Sequence, residues 1–373
     1  MKNVAASTVI LALSLLCSGH ALVLKGNKSA DNHLVSCSLD ASQTESFFDQ
    51  LHTLFIFGDS ISDTGFDPSG DAPSPANPLG NPDFPGRTTA WGPNWVGTLT
   101  KEYSKTLVAW NFAKYGSVVY NAFPNSERPD FTGQLSHFMT CCTGKKRKVK
   151  WTSEDALFLT MFGQNDLTEL IDHLSTNLKT VQDIQRFEKA AKDMTLDIMG
   201  RYIGKWATLY ENGARKFVAI TPTKYMAVPD TLKRVADFNA AQGKLIADTF
   251  LEALTNVAAD FNSKLAALSH RFKSMNPEST VFYYDATLLM DQVITKTRVS
   301  SYEDMVHFCQ YYKGLPINST TPVYPDPPSP AAYKACKKLK VNVHLWLDAW
   351  HPTWLFHSIL AEEIHTMLAK FPV

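Results

Sequence analysis

The sequence predicts an α/β protein: one three-layer α/β/α domain built on a central parallel sheet. Two observations carry this reading. Leu54–Phe57, Ala156–Phe162, Lys216–Thr221 and Val281–Asp285 are short apolar runs with the length and flanks of buried strands. Between them lie longer stretches with helical spacing of apolar residues, Asp183–Tyr202 and Asp237–Phe272. Strands alternating with helices give a parallel sheet covered on both faces. No internal repeat and no charged linker divides the chain, so insertions rather than a second domain account for its length.

With 373 residues, 45% of them hydrophobic and 12% aromatic, the chain can bury a large core. Its 36 basic and 36 acidic side chains cancel, so no bulk field recruits nucleic acid or an anionic membrane. The basic run from Gly144 to Lys150 is read as a solvated loop.

Residues 1–21 have the order of a secretory signal: Met1-Lys2, an apolar stretch from Val9 to Leu16, then small residues ending at Ala21. An extracellular protein starting at Leu22 is expected. That apolar stretch is shorter than the roughly 20 residues that span a bilayer, so no stable membrane association is expected. Residues 22–50 are polar and aperiodic and read as a lead-in that packs late or not at all, ahead of the domain at 51–373. Export favours disulfides. Cys309 and Cys336 bracket the Pro-rich stretch Pro316–Pro330 and are expected to pair, and Cys37 to pair with Cys141 or Cys142. Asn27 and Asn318 open N-glycosylation sequons.

Four separated segments carry groups suited to acyl transfer. Serine needs a base, the base an orienting group, and the developing oxyanion a set of donors. Gly58-Asp59-Ser60 follows the first apolar run directly, so Ser60 is the candidate nucleophile, expected at a strand-to-helix turn whose N–H groups favour negative charge. In Asn111-Phe112-Ala113-Lys114-Tyr115-Gly116-Ser117, Gly116 is a candidate backbone oxyanion donor, with no side chain to block its N–H. Gly163-Gln164-Asn165-Asp166 follows the strand ending at Phe162, so the Asn165 amide reaches the carboxyl edge of the sheet. Asp348-Ala349-Trp350-His351-Pro352 sets a carboxylate and an imidazole three residues apart, with Pro352 suited to the first turn of the following helix. The Pro-rich loop from Asp67 to Trp95 carries Trp91 and Trp95, which are candidate stacking walls for a sugar ring or else core and loop-anchoring residues, given the area a tryptophan buries. The C-terminal histidines give no complete metal site, and no cofactor is called for.

These segments, in this order, resemble the blocks of the SGNH (GDSL-type) hydrolases, whose invariant Ser, Gly, Asn and His correspond to Ser60, Gly116, Asn165 and His351. The resemblance runs from about Leu54 to Ala369. It implies a flavodoxin-like sheet, ester hydrolysis without a metal, an oxyanion hole of Ser60, Gly116 and Asn165, and Asp348 as the third member of the triad. The Gly-x-Ser-x-Gly elbow of the α/β-hydrolases is absent around Ser60. Asp63-Thr64-Gly65-Phe66, Asn77-Pro78-Leu79-Gly80-Asn81-Pro82 and Gly92-Pro93-Asn94-Trp95-Val96 further resemble the fungal acetylesterases of carbohydrate esterase family 16, which implies an acetylated plant-wall oligosaccharide as substrate. The second block departs from the family pattern, with Lys114-Tyr115 before Gly116 in place of small residues. Two other readings are consistent with the sequence. One is a lipase or phospholipase, with Leu167–Leu178 covering an apolar groove. The other is a secreted binding protein with a silent triad.

Overall fold

In the computed structural model the described residues are 46–145, 147–310, 336 and 343–371. The expected signal, Asn27, Cys37, Asn318 and the Pro316–Pro330 stretch lie outside them.

Five strands form the sheet: β1 (Thr53–Gly58), β2 (Val108–Asn111), β3 (Ala156–Met161), β4 (Lys216–Ile220) and β5 (Thr280–Tyr284). Their order is β2-β1-β3-β4-β5, and every pair is parallel. This is the flavodoxin-like order, in which the chain reverses direction across the sheet at β1 and β3. Ligands in such sheets bind outside the carboxyl ends of the strands at that point.

Side chains alternate across β1. Phe55 and Phe57 enter one core with α2 (Phe131–Cys142), α3 (Gln164–Leu174), α4 (Val181–Glu211) and α6 (Lys244–Met275). Leu54 and Ile56 enter the other with α1 (Trp95–Glu102), α7 (Ala286–Ile294) and α8 (Trp354–Ala369). The three layers follow from strands apolar on both faces. The first core is dense in rings: Phe55 contacts Phe138, Trp151 and Phe158 at centroid distances of 5.1, 5.3 and 4.9 Å. Each such pair contributes about 0.5–1.5 kcal/mol beyond the area it buries.

Four expectations need correction. The helical pattern Asp237–Phe272 is two helices, α5 (Pro229–Gln242) and α6, because Gly243 takes φ 84° and breaks the run. The lead-in extends less far than Gln50, since Phe47 and Phe48 are buried in the second core. Pro352 precedes the C-terminal helix rather than opening it, and that helix starts at Trp354. Ser60 does not begin a helix. A single turn, closed by Ser62 N–H and Asp63 N–H on the Asp59 carbonyl at 3.1 and 3.0 Å, leads into the Pro-rich loop, and the next helix is α1.

Cys309 and Cys336 form a disulfide with Cα atoms 5.2 Å apart. Cys141 and Cys142 are buried free thiols.

Candidate active site

The turn after β1 is held from three sides. Asn111, at the end of β2, donates from Nδ2 to the Ser62 carbonyl at 2.7 Å and to Thr64 Oγ1 at 3.0 Å. Gln134 of α2 accepts from Gly58 N–H at 2.9 Å and donates to the Gly58 carbonyl at 2.7 Å. Thr89 Oγ1 donates to the Ser60 carbonyl at 2.8 Å. These contacts fix the backbone on either side of Ser60, whose hydroxyl faces the cavity at the carboxyl edge of the sheet.

His351 arrives from the far end of the chain on a turn that Asp348 folds itself. Asp348 Oδ1 accepts from Trp350 N–H at 2.8 Å and His351 N–H at 2.9 Å, an Asx-type arrangement. Leu347 N–H donates to the His351 carbonyl at 2.8 Å and closes the loop. The imidazole then lies with Nδ1 2.9 Å from both Asp348 oxygens and Nε2 2.8 Å from Ser60 Oγ. With the proton on Nδ1 facing the carboxylate, Nε2 is left to accept from the serine. Burial pushes the Asp348 carboxyl up, but the His351 side chain and the two backbone N–H groups outweigh it and hold it below the usual carboxylate range.

On the oxyanion side, neither Ser60 N–H nor Gly116 N–H has a partner among the described residues. Gly116 takes φ 77°, and a Cβ there would meet nothing closer than an Arg128 nitrogen at 3.9 Å. Glycine is therefore needed for its left-handed backbone rather than for space, which corrects the reason expected from sequence. Asn165 sits in the first turn of α3, spending one Nδ2 proton on the Ser117 carbonyl at 3.0 Å and leaving the other for a ligand. Arg128 Nη1 points to Asn165 Oδ1 at 3.4 Å and to the Gly116 carbonyl at 3.3 Å, while its Nε is anchored on Glu169 at 2.9 Å. That contact sets which way the Asn165 amide faces. Asn165→Ala is expected to lower kcat by about 10²-fold to 10³-fold, the loss typical of one oxyanion donor. Steady-state kinetics with an unchanged melting curve checks this.

Gly163 sets where α3 begins. Its φ is +128°, and a Cβ would lie 2.6 Å from Phe261 Cε1 and 2.9 Å from Pro222 Cγ. Gly163→Ala is expected to cost about 2–5 kcal/mol through backbone strain and overpacking, read as a lower urea midpoint at constant slope.

Two buried carboxyls underlie the site. Burial pushes both Asp59 and Asp166 up to about 7. Asp59 Oδ1 accepts from Ile61 N–H at 3.0 Å and Asp166 Oδ1 from Val119 N–H at 2.9 Å. In the unfolded chain these groups ionise near pH 4. The folded state therefore holds more protons between about pH 4 and pH 7, and stability falls as pH rises through that window. For Asp166 the loss is on the order of 4 kcal/mol by pH 7. Asp166→Asn is expected to flatten the fall, seen as melting temperatures that vary less from pH 4 to pH 7.

The cavity over Ser60 has a volume of about 260 Å³, and Tyr115, Arg128, Gln164, Arg234 and Trp350 are among its walls. Trp91 and Trp95 are not. Trp95 is fully buried and donates from Nε1 to Ser62 Oγ at 3.1 Å, so it steadies the turn beside the serine. Trp91 is buried against the Cys309–Cys336 disulfide. Of their two readings both take the packing one, which corrects the candidate ring-stacking role, and the tryptophan among the cavity's walls is Trp350. Its position next to His351 was the available signal. Arg128 and Gln134 gave none, since their partners are remote in sequence. Leu167, Leu170 and Ile171 point into the first core, so α3 lays no apolar groove over the cavity.

A serine, imidazole and carboxylate in hydrogen-bond succession, beside unspent N–H donors at the switch point of a flavodoxin-like sheet, define the class of serine acylhydrolases. The chain belongs to the GDSL-like lipase/acylhydrolase family, whose model matches residues 54–364. An acetylesterase of Thermothelomyces thermophilus is 31% identical over 215 residues, which are 57% of this chain and 66% of that protein, just under two thirds of its length. Solved structures overlap only partly. They include the carbohydrate acetylesterase Est24 of Sinorhizobium meliloti (14% identity, TM-score 0.36, 63% of this chain and 83% of that one). Another is phospholipase A1 of Streptomyces albidoflavus (12% identity, TM-score 0.40, 86% and 100%). The fold assignment rests on the strand order, not on these overlaps.

Proposed function

We propose that the chain is a secreted esterase that removes acetyl groups from hydroxyl-rich alcohols, plant-wall oligosaccharides in particular, through an acyl-enzyme on Ser60. The observation that carries the chemistry is the 2.8 Å contact between Ser60 Oγ and His351 Nε2. As Oγ attacks the ester carbonyl, its proton passes to Nε2. The carbonyl oxygen becomes an oxyanion held by Ser60 N–H, Gly116 N–H and the Asn165 amide. Collapse breaks the bond to the alcohol oxygen, which takes the proton back from Nε2 and leaves as the free alcohol. Water, deprotonated in turn by His351, releases the acid and restores Ser60. Asp348 stabilises the imidazolium throughout and keeps its own charge.

A small acyl group is supported by the small size of the cavity and by the similarity to an acetylesterase. The oligosaccharide rests on the sequence blocks that resemble carbohydrate esterase family 16. Export is supported by the order of residues 1–21 and by the Cys309–Cys336 disulfide. The test is hydrolysis of 4-nitrophenyl acetate, butyrate and palmitate, with acetate release from acetylated xylo-oligosaccharides. Acetate preference together with acetate release supports the reading. Palmitate preference moves it to a lipase, and inactivity on every ester moves it to the silent binding protein. Recovery from culture medium of a chain starting near Leu22 tests export.

A further inference from the structure

Helix α3 turns two different faces to its surroundings. Its apolar residues Leu167, Leu170 and Ile171 enter the core, while Gln164, Thr168 and Asp172, each four residues apart, line the cavity over Ser60. Gln164 is 94% buried by its 6% exposure, and neither its amide nitrogen nor its amide oxygen has a partner among the described residues. A buried amide without partners is destabilising, so its retention at the rim of a reaction site points to a partner brought by the ligand. Thr168 Oγ1 donates to the Gln164 carbonyl at 2.8 Å and can accept from Tyr225 Oη at 3.4 Å, which leaves one lone pair as an acceptor for a ligand. Asp172 accepts from Arg234, which also donates from Nε to Asp230 at 2.5 Å and stands over the Trp350 ring at 5.8 Å.

We propose that this α3 stripe, Gln164, Thr168 and Asp172, together with Arg234 and Trp350, is the subsite for the alcohol half of the ester, and that it takes a neutral ring carrying adjacent hydroxyls. The proposal rests on the esterase reading above. The acyl half brings no donor, and its carbonyl oxygen is already assigned to the oxyanion site. The alternating donors and acceptors along the stripe must therefore meet the alcohol. Hydroxyls both donate and accept, so those of one ring can meet the Gln164 amide and Thr168 one helical turn on, and those further along the alcohol can meet Asp172, two turns from Gln164. Charge argues against an anionic headgroup. Arg234 is matched by Asp172 and Asp230, and Arg128 by Glu169, so the arginines among the described residues of the cavity are both paired and poorly placed to bind a phosphate or carboxylate. Trp350 supplies the apolar wall that a ring requires.

The test compares wild type, Gln164→Leu and Asp172→Asn on an acetylated neutral xylo-oligosaccharide and on 4-nitrophenyl acetate, whose leaving group has no adjacent hydroxyls. The expected result is a fall of about 10-fold to 100-fold in the ratio of kcat/KM for sugar ester over aryl ester, carried mainly by KM on the sugar ester. Asp172→Asn changes a half-exposed pair and keeps the experiment decisive if Gln164→Leu does not fold. Equal losses on both substrates, or an unchanged ratio, in an enzyme that deacetylates the oligosaccharide would overturn the subsite alone. A wild type that cleaves the aryl ester and releases no acetate from the oligosaccharide would overturn the sugar-ester reading and the subsite with it.

Discussion

Ser60→Ala is expected to lower kcat for ester hydrolysis by about 10⁶-fold, close to the full contribution of a serine triad. The oxyanion donors and the cavity remain in the variant, so what survives is the roughly 10³-fold to 10⁴-fold advantage over water that binding and electrostatics give without a nucleophile. His351→Ala should cost about as much, and the double variant little more, because serine and base act as one unit. The fold should be indifferent, since among the described residues Ser60 Oγ is bonded to His351 alone. Single-turnover kinetics beside a thermal melt read both statements. A variant that keeps a tenth of the wild-type rate would remove Ser60 from the chemistry.

Asp348→Asn is expected to lower kcat by about 10⁴-fold with the turn intact. The amide oxygen can still accept from Trp350 N–H and His351 N–H, so the loop keeps its shape. The amide nitrogen, however, can only donate toward His351 Nδ1. That forces the ring proton onto Nε2, where it faces Ser60 and cannot serve as an acceptor. In the wild type, the carboxylate sits below the usual range, so it stays ionised down to mildly acid pH. Its contribution to stability is present above the unfolded value of about 3.9 and is lost as pH falls through the lower folded value. The measurement is kcat at neutral pH alongside melting temperature. A large loss of rate with little loss of stability is the expected pair.

Much of the fold was legible where a signal is local. Leu54–Phe57 is a short apolar run ending at Gly58-Asp59, which suits a covered strand, and it lies within β1. The same logic placed β3, β4 and β5. It passed over β2, whose four residues, Val108–Asn111, are too few for a distinct run. Apolar spacing continues across Gly243, so periodicity alone joined α5 to α6. The four residues named as Ser60, Gly116, Asn165 and His351 converge because each follows a strand or stands on a turn at one edge of the sheet. Their supports were not legible. Gln134 clamps Gly58 across 76 residues, and Arg128 reaches Asn165 across 37, with nothing in the local sequence to announce either. Trp95 stayed ambiguous between binding and packing for the opposite reason. A tryptophan in a proline-rich loop looks like a ligand wall, but as the first residue of α1 it is drawn fully into the second core.

The central claim is that Ser60 carries the acyl group, and covalent trapping tests it most directly. The protein is treated with an alkyl fluorophosphonate, a tetrahedral electrophile that a base-activated serine attacks, and the adduct is mapped by peptide mass spectrometry. The account predicts one adduct, on Ser60, formed in step with loss of esterase activity and absent from Ser60→Ala. An adduct on another serine, or full inactivation with Ser60 unmodified, would contradict it.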